Sequence, residues 1–335
     1  MPFEIFHREF GLLVEYVLHN TQTGEYAVVV PAHGAMVRGL VLRKDEELIS
    51  LIDAPASEQA LVADETYASA LLFPFPSRIR HGIYLFEGEA YTLPMNEASR
   101  DNAIHGFVAG KPFELFDQQV TGHAASLTLR YLHHGPAEDL YTGYPFPFEL
   151  RVTYTLESAP GSPSVFYVRY QVQNLSLSRS CPVAFGWHPY FTFNDEPVDD
   201  LTIRIPSQTA VVFDENMLPD GIEPFNLSGT SQAGTTTIPP IRLHERELDN
   251  AFILDNQVGS AETVLSSARH KASLHVWQET GPGKFNYLVV FTPPSRNRIA
   301  IEPLTGNVNV LNNQEGLIVL APNEVADGTI KVWLA

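Results

Sequence analysis

Twenty-five prolines and twenty-two glycines are spread from end to end of this 335-residue chain. Proline inside a helix removes a hydrogen bond and clashes with the preceding turn, so such punctuation leaves little room for long helices. Between the breaks lie short alternating or β-branched runs. They include Tyr26 to Val30, Ala125 to Leu132, Glu149 to Leu156, Ser164 to Val172, Leu201 to Ile205, Ser273 to Trp277 and Tyr287 to Phe291. Runs of this length bounded by Gly, Pro, Asn and Asp read as strands. In one of them Arg151, Thr153 and Thr155 alternate with Leu150, Val152, Tyr154 and Leu156, the pattern of a half-buried antiparallel strand. The expected fold is all-β, a sandwich or barrel, forming one domain over residues 1–335. A short helical turn is expected from Glu58 to Ala63, capped by Ser57, as a surface decoration only. The stretch from Gly229 to Pro240 reads as a loop within the domain, because strand-like segments of one character flank it.

The hydrophobic fraction of 44% is ordinary for a globular chain. The formal charge of −18 disfavours nucleic acid and anionic membrane as partners, since both demand a basic surface. It weighs mildly against a strongly anionic substrate as well. The single cysteine, Cys181, excludes an intrachain disulfide framework, and its apolar neighbours make it a small buried hydrophobe. The opening MPFEIFHREFG lacks a basic segment followed by an apolar one, so no secretory signal is expected. No apolar stretch approaches the length of a membrane span. A cytoplasmic protein is expected, and nothing in the sequence sets an oligomeric state. Phosphate-cradling GxxxxGK[ST] and GxGxxG motifs, HExxH and GxSxG are all missing, so neither a nucleotide cofactor nor a metal is expected. Gly281 to Lys284 (GPGK) reads as a tight turn before a strand.

Two apolar runs each hold one ionisable residue directly before a proline. His188 sits in Pro182-Val183-Ala184-Phe185-Gly186-Trp187-His188-Pro189-Tyr190-Phe191, and Glu302 in Arg298-Ile299-Ala300-Ile301-Glu302-Pro303-Leu304-Thr305. The proline pushes its predecessor toward extended backbone. Burying such groups is costly unless they are paired, hydrogen-bonded or used. Period-two alternation sends Phe185, Trp187 and Phe191 one way, and Gly186, His188 and Tyr190 the other, with Gly186 leaving room for a ligand. The same rule sends Ile299, Ile301 and Pro303 to one side, and Ala300, Glu302 and Leu304 to the other. Both groups allow a second reading: a core histidine bonded to a carbonyl, and a buried glutamate paired with Arg296 or Arg298. Three further segments carry polar groups in notable settings. Arg78 and Arg80 follow the run Leu72-Phe73-Pro74-Phe75-Pro76, His105 precedes Gly106, and Asp249 stands beside Asn250 before a strand. Taken singly, these read equally well as surface ion pair, turn residue and cap.

Taken in order, the segments resemble the aldose 1-epimerase (galactose mutarotase) family. The order is Ser77-Arg78-Ile79, Asn102-Ala103-Ile104-His105-Gly106, Trp187-His188-Pro189-Tyr190-Phe191, Leu248-Asp249-Asn250-Ala251-Phe252 and Ile301-Glu302-Pro303. Asn309-Val310-Leu311-Asn312 and Leu320-Ala321-Pro322-Asn323-Glu324 extend the likeness to the tail. The resemblance implies a β-supersandwich of large antiparallel sheets with a sugar cleft across one face, and no cofactor. It implies Glu302 as base, His188 as acid, and Arg78, His105 and Asp249 as sugar-binding residues. Phe107, where the best-known branch has a second glycine, and Trp187 and Pro189 beside the histidine place the chain in a broader, aldose 1-epimerase-like branch. The expected reaction interconverts the anomers of a free aldose by ring opening and closure. Glu302 takes the C1 hydroxyl proton, and His188, charged at rest through a nearby Asp249 or Glu302, donates to the ring oxygen. Alternatives from other classes are a non-catalytic carbohydrate-binding protein, a carbohydrate lyase or hydrolase on a related sandwich, and a hexose-6-phosphate mutarotase using Arg80.

Overall fold

The computed structural model describes residues 1–135, 143–159, 162–225, 239–256 and 258–335. The loop expected over Gly229 to Pro240 lies outside the described residues except at its last two positions. The strand runs pair into three antiparallel sheets of five, nine and eight strands, with smaller two-stranded pieces between them. In the nine-stranded sheet, Ala124–His133, Phe148–Glu157, Val165–Asn174, Val325–Leu334 and Ala272–Thr280 lie side by side. Its alternation is the one the sequence shows. Leu127, Leu129, Leu150, Val152, Tyr154 and Val168 face the core, while Thr128 and Thr153 meet across the outer face at 2.9 Å. Such cross-strand pairs reinforce the register that the buried face demands.

The N-terminal sheet, Phe3–Phe10 to Glu47–Ser50, was the less legible part. Phe3–Phe10 reads FEIFHREF, and its charged residues obscure the strand-favouring Phe and Ile content. Partnership supplies what propensity does not, because residues 3–10 pair one for one with residues 13–20. Ser57 caps the short helix Glu58–Val62 as expected, accepting from the Ala60 N–H at 3.2 Å. That helix is more than a decoration. Leu61 is buried against Phe10, Val30 and Met36, and Glu58 accepts from the Leu12 N–H at 2.7 Å.

The eight-stranded sheet positions the chemistry. Its order runs Pro219–Pro224, Thr209–Phe213, Asp249–Ile253, Tyr287–Phe291, Ile299–Leu304, Gly186–His188 and Ala70–Leu72, with Tyr190–Phe191 also on Ile299–Leu304. One face sends Trp187, Phe252, Leu288, Val290, Ile299 and Ile301 into the main core. The other carries separate small apolar clusters built on Tyr190 and Ala300, on Leu72 and Leu304, and on Val211 and Ala251. A sheet that buries both faces reads as continuous hydrophobic sequence, which is why its few ionisable residues stood out.

Gly106 is a point of close backbone approach near this face. Its φ is +66°, and a Cβ there would meet the Phe73 carbonyl oxygen at 2.1 Å. The chain crosses so closely because Phe107 N–H donates to that carbonyl at 3.0 Å. Neither conformation nor space admits a side chain. Gly106→Ala is expected to cost at least about 2 kcal/mol of stability, read from urea unfolding, because a backbone strand must shift.

Candidate active site

The twin pre-proline motifs are cross-strand neighbours. Gly186 pairs with Leu304, and Tyr190 pairs with Ala300 and Phe191 with Ile299. These pairs share one register, so His188 stands directly opposite Glu302. Proline lacks the N–H that a continuous ladder needs, and the pairing is interrupted at this point. Ile301 N–H reaches the Pro189 carbonyl at 3.3 Å across the break. Nε2 of His188 lies 3.3 Å from Oε1 of Glu302, and both side chains are almost wholly buried.

The alternation holds for both runs, with one correction. Gly186 leaves space for protein rather than ligand: a Cβ would meet Leu304 Cδ2 at 2.6 Å and Pro76 Cβ at 3.0 Å. Trp187 is core, whereas Tyr190 walls the cleft beneath the Arg298 guanidinium, 4.0 Å from its ring. The arginines that offered Glu302 an ordinary ion pair are engaged elsewhere. Arg296 pairs with Asp199 at 2.7 Å and Arg298 with Asp53 at 3.1 Å.

Glu302, His188, Arg78, His105 and Asp249 all line one cleft of about 770 Å³. Arg78 comes from the strand Arg78–Arg80, paired with Asn102–Ile104. Its Nε and Nη2 donate to the two carboxylate oxygens of Glu97 at 2.8 and 2.9 Å, a bidentate hold that fixes the guanidinium plane. Arg80 does not line the cleft; it pairs with Asp214 at 2.9 Å. His105 adopts φ +63° and is clamped twice by Ser77. Its N–H donates to the Ser77 carbonyl at 2.9 Å, and its Nδ1 accepts from the Ser77 N–H at 3.2 Å. An Nδ1 that accepts a backbone N–H carries no proton, so Nε2 bears it as a donor. Asp249 stands at the more open rim.

Burial governs the electrostatics. It pushes the Glu302 carboxyl well above its ordinary range, with the Asp249 charge adding to the rise and Arg78 opposing it. It pushes His188 down to about 4, although its own backbone carbonyl acts the other way. His105 is held well below 6.5 by burial, then by His188 and Arg78. The sequence-based expectation of a charged resting His188 therefore does not hold, because burial outweighs the nearby carboxyl groups. Desolvation favours an uncharged pair, carboxylic acid beside imidazole. That pair holds the same single proton as carboxylate beside imidazolium.

Several cleft residues escaped the sequence reading: Tyr67, Asn96, Glu97 and Arg100. Tyr67, Asn96 and Glu97 lie outside the strands and helices and Arg100 ends the short 3-10 turn Ala98–Arg100, so no periodicity marks a functional side chain. The only local hint is that Asn96-Glu97 shortly precedes the Asn102 to Gly106 motif.

The fold is all-β, and a buried glutamate and histidine face each other across two strands in one cleft. The sequence profile of the aldose 1-epimerase family matches residues 16–333, and the chain belongs to that family. It is thus an isomerase of the mutarotase kind. Protein YihR of Escherichia coli K12 is 24% identical over 253 residues, 75% of this chain and 73% of that one. A galactose mutarotase-like protein from Clostridium acetobutylicum superposes with a TM-score of 0.83 at 19% identity, over 100% of this chain and 99% of the other. Galactose 1-epimerase from Lactobacillus acidophilus NCFM gives 0.77 at 19% identity, over 99% and 98%. No helix among the described residues is long and apolar enough to cross a membrane.

The raised Glu302 carboxyl has a consequence for stability. A group whose folded pKa exceeds its unfolded value of about 4.5 stabilises the fold fully below that value. The contribution is lost as pH rises toward the folded pKa. Glu302→Gln cannot ionise, so its melting temperature should match wild type near pH 4 and exceed it increasingly above pH 5. A scan of Tm against pH for both proteins checks this.

Proposed function

We propose that the protein interconverts the α and β anomers of a free, uncharged aldose, with Glu302 and His188 as the proton-transfer pair. The observation that carries this reading is the cross-strand placement of the two groups, 3.3 Å apart and both lining one cleft. The C1 hydroxyl of the sugar meets Glu302 and the ring oxygen meets His188 Nε2. As the shared proton shifts to the imidazole, Glu302 becomes the base and His188 the acid. Glu302 takes the hydroxyl proton, the C1–O5 bond breaks to give the aldehyde, and the electron pair leaving on O5 receives the proton from His188. Rotation about C1–C2 turns the other face of the carbonyl to O5, and the same transfers reversed close the ring. The open-chain aldehyde is a stable intermediate, so one acid and one base complete the cycle. Arg78, the Nε2–H of His105 and Asp249 hold the remaining hydroxyls by charge-assisted and neutral hydrogen bonds.

Charge in the cleft supports a neutral substrate. Five carboxyl groups line it (Asp64, Glu65, Glu97, Asp249 and Glu302) against two guanidiniums, Arg78 and Arg100. Arg78 is already neutralised by Glu97, and Arg80 is committed to Asp214. A phosphate would meet net repulsion there. Polarimetry should show acceleration with fresh α-glucose or α-galactose, and much less with glucose 6-phosphate. A protein that only binds sugar would leave anomer exchange unchanged by NMR.

Each proton-transfer group is worth on the order of 10²–10⁴ in rate. Glu302→Gln and His188→Asn should each lose at least about a hundred-fold in kcat while remaining folded; retention of wild-type acceleration by either would sink the assignment. The pH profile should be bell-shaped, because activity requires one proton on the pair. The acid limb falls as His188 gains a second proton toward about pH 4. The alkaline limb lies where the raised Glu302 carboxyl loses the shared proton, and both limbs belong to the pair rather than to either residue.

A further inference from the structure

We infer that Tyr67 is a further substrate-binding residue of this cleft, donating its phenol proton to a hydroxyl of the bound sugar; the inference rests on the mutarotase reading above. Tyr67 lies between the helix Glu58–Val62 and the strand Ala70–Leu72, and it lines the cleft. Its backbone is left-handed, φ +55°, as is that of Ser69 at +56°. A bulky side chain rarely adopts this region, and such strain persists only where the surroundings over-determine it.

Those surroundings are specific. The Asp64 carboxylate accepts from the Thr66 N–H at 3.2 Å, the Thr66 hydroxyl at 2.7 Å and the Ala68 N–H at 3.0 Å. Arg298 Nη2 donates to the same Thr66 hydroxyl oxygen at 3.2 Å. Ser69 N–H donates to the His188 carbonyl at 2.9 Å. The strained segment is thereby tied to the strand that carries the acid.

The direction of the phenol proton follows from Asn96. Its Oδ1 accepts from the Ile104 N–H at 2.7 Å, and its Nδ2 donates to the Ile104 carbonyl at 2.9 Å. This backbone clamp fixes the amide orientation. The second Nδ2 hydrogen is directed at the Tyr67 oxygen, 3.0 Å away. The phenol oxygen is therefore an acceptor toward Asn96, and its own proton must find another partner. No hydrogen bond from that proton is made to any described residue. The ring packs on His105, with centroids 4.6 Å apart, so it is braced against a second residue that lines the cleft. Burial raises the phenol pKa further, which keeps the proton in place. A neutral donor of this kind recognises a sugar hydroxyl.

Tyr67→Phe keeps the ring on His105 and removes only the donor. Against a panel of mono-deoxy derivatives of the best substrate, wild type should lose about three- to ten-fold in kcat/KM with one particular deoxy sugar, mostly through KM. Tyr67→Phe should show a similar loss on the parent sugar and no further loss on that one analogue. Unchanged kcat/KM on the parent sugar overturns the inference. A loss of equal size for the parent and every analogue overturns it too, because a merely loosened wall lowers all alike. If wild type accelerates no sugar, the mutarotase reading has failed instead. Calorimetric binding of the same panel then tests Tyr67 alone: selective loss for one analogue supports it, and uniform affinity overturns it.

Discussion

The site depends on one antiparallel register. Gly186 opposite Leu304 and Tyr190 opposite Ala300 leave His188 and Glu302 facing each other where two prolines interrupt the ladder. A shift by one residue would send both groups into the core, since successive side chains point to opposite faces. Ile299, Ile301 and Trp187 prevent that shift, because their own burial belongs on the core face. Hydrophobic patterning on one side of the sheet thus sets how the histidine and the glutamate face each other on the other.

The second constraint is desolvation. An isolated buried carboxylate or imidazolium is costly, yet two such groups that share one proton need carry no net charge between them. The buried pair is affordable in its neutral form and reaches its charged form by moving a single proton. Around it the cleft reuses the same economy of partners. Glu97 occupies one edge of Arg78, Ser77 fixes the His105 tautomer, and Asn96 orients Tyr67. Arg78, His105 and Tyr67 are each held on one side by protein partners and line the cleft. The acidic balance of the lining favours a solute that recognises carboxylates through hydroxyl donors rather than one bearing its own negative charge.

Much of this was legible before any coordinates. The breaks at glycine and proline and the alternation in runs such as Glu149 to Leu156 specified strands, and the short helix was marked by Ser57 at its cap. Strands whose outer face is charged, such as FEIFHREF, were hidden because their β character comes from pairing. His188 and Glu302 announced themselves because each is the lone ionisable residue of an apolar strand. Arg78, His105 and Asp249 were ambiguous as local sequence and gained a role only through the family pattern.

The tertiary structure decided the rest. It placed Glu302 opposite His188, gave Gly186 to Leu304 and Pro76 rather than to a ligand, and turned the resting histidine neutral. It also recruited Tyr67, Asn96 and Glu97 from loops. The division has a physical cause. Which face a side chain takes is written in short-range periodicity, and the sequence by itself determined that. Protonation state, the choice among ion-pair partners and the convergence of loop residues depend on distances across segments far apart in the chain and on the burial they create together. Those quantities exist only once the sheets have packed.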